Sequence, residues 1–243
     1  MRSATGICLL ALLLLCVCAE AAVIHVPGDY PDIVSAVAAA SAGDTVAVGE
    51  GIFSETGQIA VSRSITIVGA GDALTGVRKI NDTVCSGDSA TWFRVAPGVQ
   101  LTMRDLTLNG DGRRVCEAVR SYGVLTMERC TVCNIACSNC GGTGVALLAN
   151  GTVDACGFSN IGRIGILATG NACTNVIVNG CAYRGKGAGD HLDYGVVLDA
   201  GADATITYND FTDCGGESST NGARSAGIRI VGLPSGASTG TLR

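Results

Sequence analysis

The sequence predicts an all-β fold, a parallel β-helix solenoid closed at its N-terminal end by a short helix. Three observations carry this. An apolar triplet recurs as Met103/Leu106/Leu108, Met127/Cys130/Val132, Val153/Cys156/Phe158, Val178/Cys181/Tyr183 and Ile206/Asn209/Phe211, its starts 24, 26, 25 and 28 residues apart. A second marker, Gly followed by Val or Ile, recurs at Gly98, Gly123, Gly144, Gly165, Gly195 and Gly227 and reads as holding one place in each unit. Between the markers lie short alternating runs separated by Gly, Asn, Asp and Ser, with no helical stretch. A composition of 47% hydrophobic but only 4% aromatic residues, with 35 Gly, suits many short strands and tight turns.

Taken in chain order, Arg2, the apolar run Ile7 to Cys18 and the small residues around Ala21 read as a secretory signal peptide, residues 1–21. Residues 22–243 then form a single domain. Gly28-Asp29-Tyr30-Pro31 signals a helix start, Ile33, Val34, Val37 and Ala38 fall on one face, and Gly43-Asp44 ends the segment, so residues 29–43 would cap the open first coil. Thr45–Val48, Ile59–Val61 and Ile65–Val68 alternate as strands.

Each later unit reads as one coil of strands and turns, its neighbours about 4.8 Å away. Val153 and Phe158 would point inward, Asp154 and Gly157 outward, and Cys156 would turn in at a bend beneath and above its equivalents. One coil cannot bury its inner face, so the repeat makes a core only by stacking.

The stretch VPGDYPDIVSAVAAASAGDTVAVGEGIFSET (26–56) and the V-x-x-N/C-x-F units resemble the right-handed parallel β-helix proteins of the pectin-lyase-like superfamily, over roughly residues 23–232. That resemblance implies a right-handed solenoid. It also implies a function on the strand beginning at the Gly-Val/Ile marker, among proteins that include polysaccharide lyases, glycosidases, pectin esterases and adhesins. Where many relatives carry an asparagine ladder, this chain has Cys130, Cys156 and Cys181, with Asn only at Asn209. The polygalacturonase motifs survive only as a partial echo in Arg229-Ile230-Val231. Of the pectin methylesterase motifs only Gly51-Ile52-Phe53-Ser54-Glu55 is present, read as a turn followed by an inward Phe53. No C-terminal cap is recognisable after Ile230.

On the implied functional strand the outward positions are Ala146 and Leu148, Leu167 and Thr169, Val197 and Asp199, then Arg229 and Val231. Only Asp199 and Arg229 offer an acid and base pair or a carboxylate anchor, the alternative being a surface ion pair. The insertions RGKGAGDHLD (184–193) and CGGESSTNGARS (214–225) place Arg184, Lys186, Asp190, His191 and Asp193 together. His191 is the candidate base, with the other four as substrate-binding groups; the alternative is a solvated charged loop. No cofactor is expected, apart from Ca²⁺ if the chain is a lyase. Val68–Leu74 lacks the third glycine of a nucleotide loop and reads as a turn.

Sixteen Lys and Arg against 21 Asp and Glu give a formal charge of −5, which argues against nucleic acid as a partner. No stretch after residue 21 is apolar for long enough to enter a membrane. Ten cysteines remain after residue 21 (85, 116, 130, 133, 137, 140, 156, 173, 181 and 214), an even count that reads as disulfides in an exported protein. Cys130-x-x-Cys133-x-x-x-Cys137-x-x-Cys140 allows a four-thiolate zinc site, but clips from that loop to Cys85, Cys116, Cys173 or Cys214 are preferred, so no metal is assigned. Cys130, Cys156 and Cys181 are expected as a buried, reduced ladder. Asn81 and Asn150 head glycosylation sequons that require exposure. The expected function is a secreted protein that binds or processes extended, pectin- or uronan-like polysaccharide; the rival is a non-catalytic structural or adhesion module.

Overall fold

A computed structural model describes residues 20–84, 86–137, 141–232 and 239–242. Most of the signal segment, Cys85, Cys140 and the stretch after Gly232 therefore lie outside the described residues, apart from a last strand at Thr239–Leu242. The chain winds as a right-handed parallel β-helix with three sheets. Sheet A has nine strands, from Val23–Val26 to Thr239–Leu242; sheet B has seven, from Gly51–Glu55 to Asp210–Thr212; sheet C has seven, from Ile59–Val61 to Ala226–Ile230. Every pairing between named strands is parallel and joins successive coils.

The triplet is the register. Met103, Met127, Val153, Val178 and Ile206 stack in sheet A, while Leu108, Val132, Phe158, Tyr183 and Phe211 stack in sheet B. Val153, Cys156 and Phe158 are all buried. Between the two sheets the chain bends at Asp105, Arg129, Ala155, Gly180 and Tyr208, all at positive φ between 47° and 61°. A left-handed residue lets the strand turn within two residues. For a non-glycine it costs about 1–2 kcal/mol, a strain that stacking of the flanking strands offsets.

That bend aims the cysteines inward. The backbone N–H of Cys130 points at Sγ of Cys156, 3.5 Å away, and the N–H of Cys181 donates to Oδ1 of Asn209 at 2.8 Å. The thiol ladder thus occupies the position of the amide and ends in one. Cys130, Cys133, Cys156, Cys173, Cys181 and Cys214 are free thiols. The expected clips to Cys173 and Cys214 are therefore not formed; Cys173 is buried instead, with its Sγ against the carbonyl oxygens of Leu147 and Ala149.

The glycine marker mixes two places. Gly144, Gly165, Gly195 and Gly227 share one column of sheet C, whose earlier members are Trp92 and Ala118; Gly98 and Gly123 sit in turns leading into sheet A. The four glycines carry no side chain because a ring fills that space. A Cβ on Gly165 would lie 2.7 Å from Cδ2 of Tyr183. Gly123 is glycine for another reason, since a Cβ there would lie 2.0 Å from the carbonyl oxygen of Val99.

The cap helix α1 spans Ile33–Ala39, inside the expected segment. Asp32 caps it, accepting from the N–H of Ser35 at 2.7 Å, so the start lies beyond Pro31. Ile33 and Val37 are buried and Val34 packs against the core, as expected, whereas Ala38 is exposed and Ala36 is buried instead. Glu55 also caps α1, accepting from the N–H of Ile33 at 2.7 Å and of Val34 at 3.4 Å. Burial raises its pKa and those two N–H groups oppose the rise. The Gly51 to Glu55 signature is thus a helix-binding device, with Phe53 half-buried against the core.

Candidate functional site

The outer face of sheet C carries one column through six coils: Arg94, Arg120, Ala146, Leu167, Val197 and Arg229. Its middle points outward as expected but is covered, because Ala146 and Val197 are buried, at 2% and 6% exposure, while lying outside the core cluster. Asp199 and Arg229 do not pair. Arg229 stands opposite Val197, donates to the Tyr194 hydroxyl at 3.1 Å and lies 5.0 Å above that ring. Oδ1 of Asp199 accepts from the adjacent N–H of Ala200 at 2.8 Å.

The polar chemistry of this face sits at its other end, where no sequence motif marks it. Arg94 and Arg120 stack one coil apart. Asp88, on the loop before Thr91–Val95, accepts from Arg94 Nε at 2.9 Å and from the Tyr122 hydroxyl at 2.6 Å. Glu117 accepts from Arg120 Nη2 at 2.5 Å and from the Thr91 hydroxyl at 2.7 Å. The Arg94 guanidinium lies 5.1 Å over the Tyr122 ring. The Tyr122 hydroxyl, then Arg94, hold Asp88 below the usual carboxylate range. Burial works against the charge of Arg120, but the Glu117 hydrogen bond and charge lift its pKa above the ordinary value. Stepping back from Ala146 in units of 26 residues reaches Arg120 and then Arg94; that was the available signal.

The two inserted loops do come together, while most of the charges pair within the first of them. Asp193 is fully buried. Its Oδ1 meets the Lys186 ammonium; its Oδ2 accepts from the Lys186 backbone N–H at 2.9 Å and lies 3.3 Å from His191 Nε2. Lys186 also donates to the carbonyls of Ile161 and Gly162 at 3.0 Å each. Asp190 accepts from the N–H of Ser219 at 2.7 Å, tying one insertion to the other, and Arg184 pairs with Asp213 at 3.1 Å. His191 Nε2 lies 3.1 Å from the Gly187 carbonyl. These contacts make the cluster a clasp that closes the first loop on itself and is tied to the second through Asp190.

Among the described residues, no three His, Cys, Asp or Glu side chains are grouped to hold a metal ion, and no helix is long and apolar enough to cross a membrane. Asn81 is exposed. Asn150 is half-buried, its Oδ1 accepting from the N–H groups of Thr174 and Asn175 at 2.8 Å each.

Comparison with known proteins agrees with the geometry. The family described as "Right handed beta helix region" matches residues 94–236. The pectin methylesterase from Aspergillus niger in deglycosylated form superposes with a TM-score of 0.54 at 12% identity, over 91% of this chain and 85% of that one. The catalytic domain of a GH87 alpha-1,3-glucanase in complex with nigerose gives 0.56 at 15%, over 90% of this chain and 44% of that one. No curated protein sequence matches. At these identities the likeness is one of fold. With the family match spanning more than half of its residues, the chain belongs to the right-handed β-helix family.

Proposed function

We propose that this protein binds an extended, uronan-like polysaccharide on the outer face of sheet C, acting outside the cell to which residues 1–21 would direct it. One observation carries the reading: two stacked, partly exposed guanidiniums, two carboxylates and a tyrosine ring converge on a single outer face. Arginine forks match planar carboxylates. Asp88 is about half exposed, so a uronate carboxylate can take its place on Arg94 while Glu117 keeps Arg120 oriented.

The reading is one of binding. Asp88, held below the usual range, is ionised near neutral pH and so supplies no proton to a leaving group. Glu117 is bound to Arg120 and Thr91 on both oxygens. Calorimetry with a hexamer of galacturonate tests this. Arg120→Gln should weaken binding about tenfold or more, and no product should appear with or without Ca²⁺. Equal affinity in wild type and variant, or turnover, refutes the reading.

A second reading, a non-catalytic structural or adhesion module, draws on coil-to-coil ties at the surface. Asn160 donates to Asn134 at 2.6 Å and Asn134 to Asn109 at 2.9 Å, while Arg129 and Asp105 pair at 2.7 Å. Absence of glycan binding together with high thermal stability would favour it.

A further inference from the structure

We infer that the outer face of sheet A is a second carbohydrate-binding face, suited to a neutral, extended polysaccharide lying along the solenoid axis. Eight successive strands place Thr45, Thr66, Thr102, Thr126, Thr152, Ile177, Thr205 and Thr241 in one file. Seven are threonine, and the eighth keeps the β-branched shape.

Strand propensity alone does not give this. It favours Val, Ile and Tyr as much as Thr, and the outward files of the other sheets are mixed. On sheet C the file runs from Arg94 to Arg229; on sheet B it reads Gly76, Thr107, Thr131, Gly157, Ala182 and Asp210. The hydroxyls also differ in use. Thr107 and Thr131 on sheet B donate to Asp72, at 2.7 and 2.9 Å. The six threonines of the sheet A file from Thr45 to Thr205 make no side-chain hydrogen bond to the protein among the described residues. All six are half-buried or exposed. They form a row of free donors and acceptors, one per coil, each beside a methyl group.

The shape of the strip selects the ligand. On one flank rise Arg104, Glu128 and Asp154, whose neighbours Asp105 and Arg129 neutralise the first two: Arg104 lies 3.9 Å from Asp105, and Arg129 lies 3.6 Å from Glu128. On the other lies a shallow cavity of about 200 Å³ lined by Gly43, Ser64, Ile65, Thr66, Gln100 and Thr102. The strip is narrow and carries no charge of its own, so it fits one chain rather than a flat lattice or a polyanion. Coils repeat about every 4.8 Å, close to the rise of one ring in an extended β-1,4-linked glycan. Each ring can then meet one hydroxyl and one methyl. Threonine is stiff at χ1, so little side-chain freedom is lost on contact.

The test uses cellohexaose and a galacturonate hexamer as probes, with the whole chain, in wild type, Arg120→Gln and the triple variant Thr102→Val, Thr126→Val, Thr152→Val. Valine keeps the methyl groups and the strand shape, and a thermal melt verifies folding. Cellohexaose binding should fall about tenfold or more in the triple variant and stay unchanged in Arg120→Gln, with the reverse for the galacturonate hexamer. No cellohexaose binding in wild type, or equal binding in the triple variant, overturns the inference. Loss of only the galacturonate result overturns the sheet C reading and leaves this one standing. Thermal hysteresis that depends on the three threonines, without glycan binding, would assign the file to ice and also overturn it.

Discussion

The Tyr122 hydroxyl donates a 2.6 Å hydrogen bond to Asp88 and so ties adjacent coils together at the arginine pair. That bond is the largest cause of the lowered Asp88 pKa. A carboxylate depressed in the folded state adds stability above its unfolded pKa and loses it as pH falls through the folded value. Tyr122→Phe should therefore bring the Asp88 titration, followed by NMR, up toward the ordinary range and shift acid unfolding to higher pH. An unmoved titration would refute the coupling.

Gly195 belongs to the column that makes room for rings. A Cβ there would lie 2.3 Å from Cδ1 of Phe211 and 2.6 Å from the Gly227 carbonyl oxygen. Gly195→Ala should destabilise the fold by about 1–3 kcal/mol, as overpacking does. Phe211→Leu in the same chain should recover part of that loss. Urea denaturation of the two single variants and the double variant measures the recovery.

The thiol ladder should be chemically silent. Next to Cys130, and with burial adding to the effect, the Cys156 thiol is pushed up to about 12; the neighbouring Cys156 thiol and burial push Cys181 up as well. Thiolate is the reactive form, so Cys156 and Cys181 should resist iodoacetamide in the native state and react on unfolding, and Cys130, fully buried, should be shielded by the fold in the same way. Half-buried Cys133 and Cys214 should label before the three ladder thiols. Peptide mass spectrometry after timed labelling decides the order.

Asp193 is the keystone of the loop clasp. Asp193→Asn leaves Lys186 without its counter-charge and should cost about 3 kcal/mol, the range for breaking a buried pair. Asp190→Asn, on an exposed turn, should change stability little. Thermal melts of the two variants compare the effects; similar small shifts would show that the clasp contributes nothing.

Much of the architecture was legible in the chain because parallel coils turn a sequence period into a contact. Met127, Val153 and Val178 stack as their spacing requires. The threonine file was equally available, since Thr102, Thr126 and Thr152 each precede a triplet residue. Gly98 and Gly123 misled because a turn glycine and a ring-clearing glycine look alike when followed by valine.

The amino-acid sequence by itself determined the solenoid, its register and its inward ladders, since repeating apolar spacing can be buried in only one stacked arrangement. Tertiary structure alone decided the partners of the polar groups. Asp88 and Asp193 lie on loops that follow no period, so nothing in their spacing foretold that one would meet Tyr122 and Arg94 and the other Lys186. Coil stacking fixes where strands go, whereas the charge that a loop brings to their surface depends on how that loop packs.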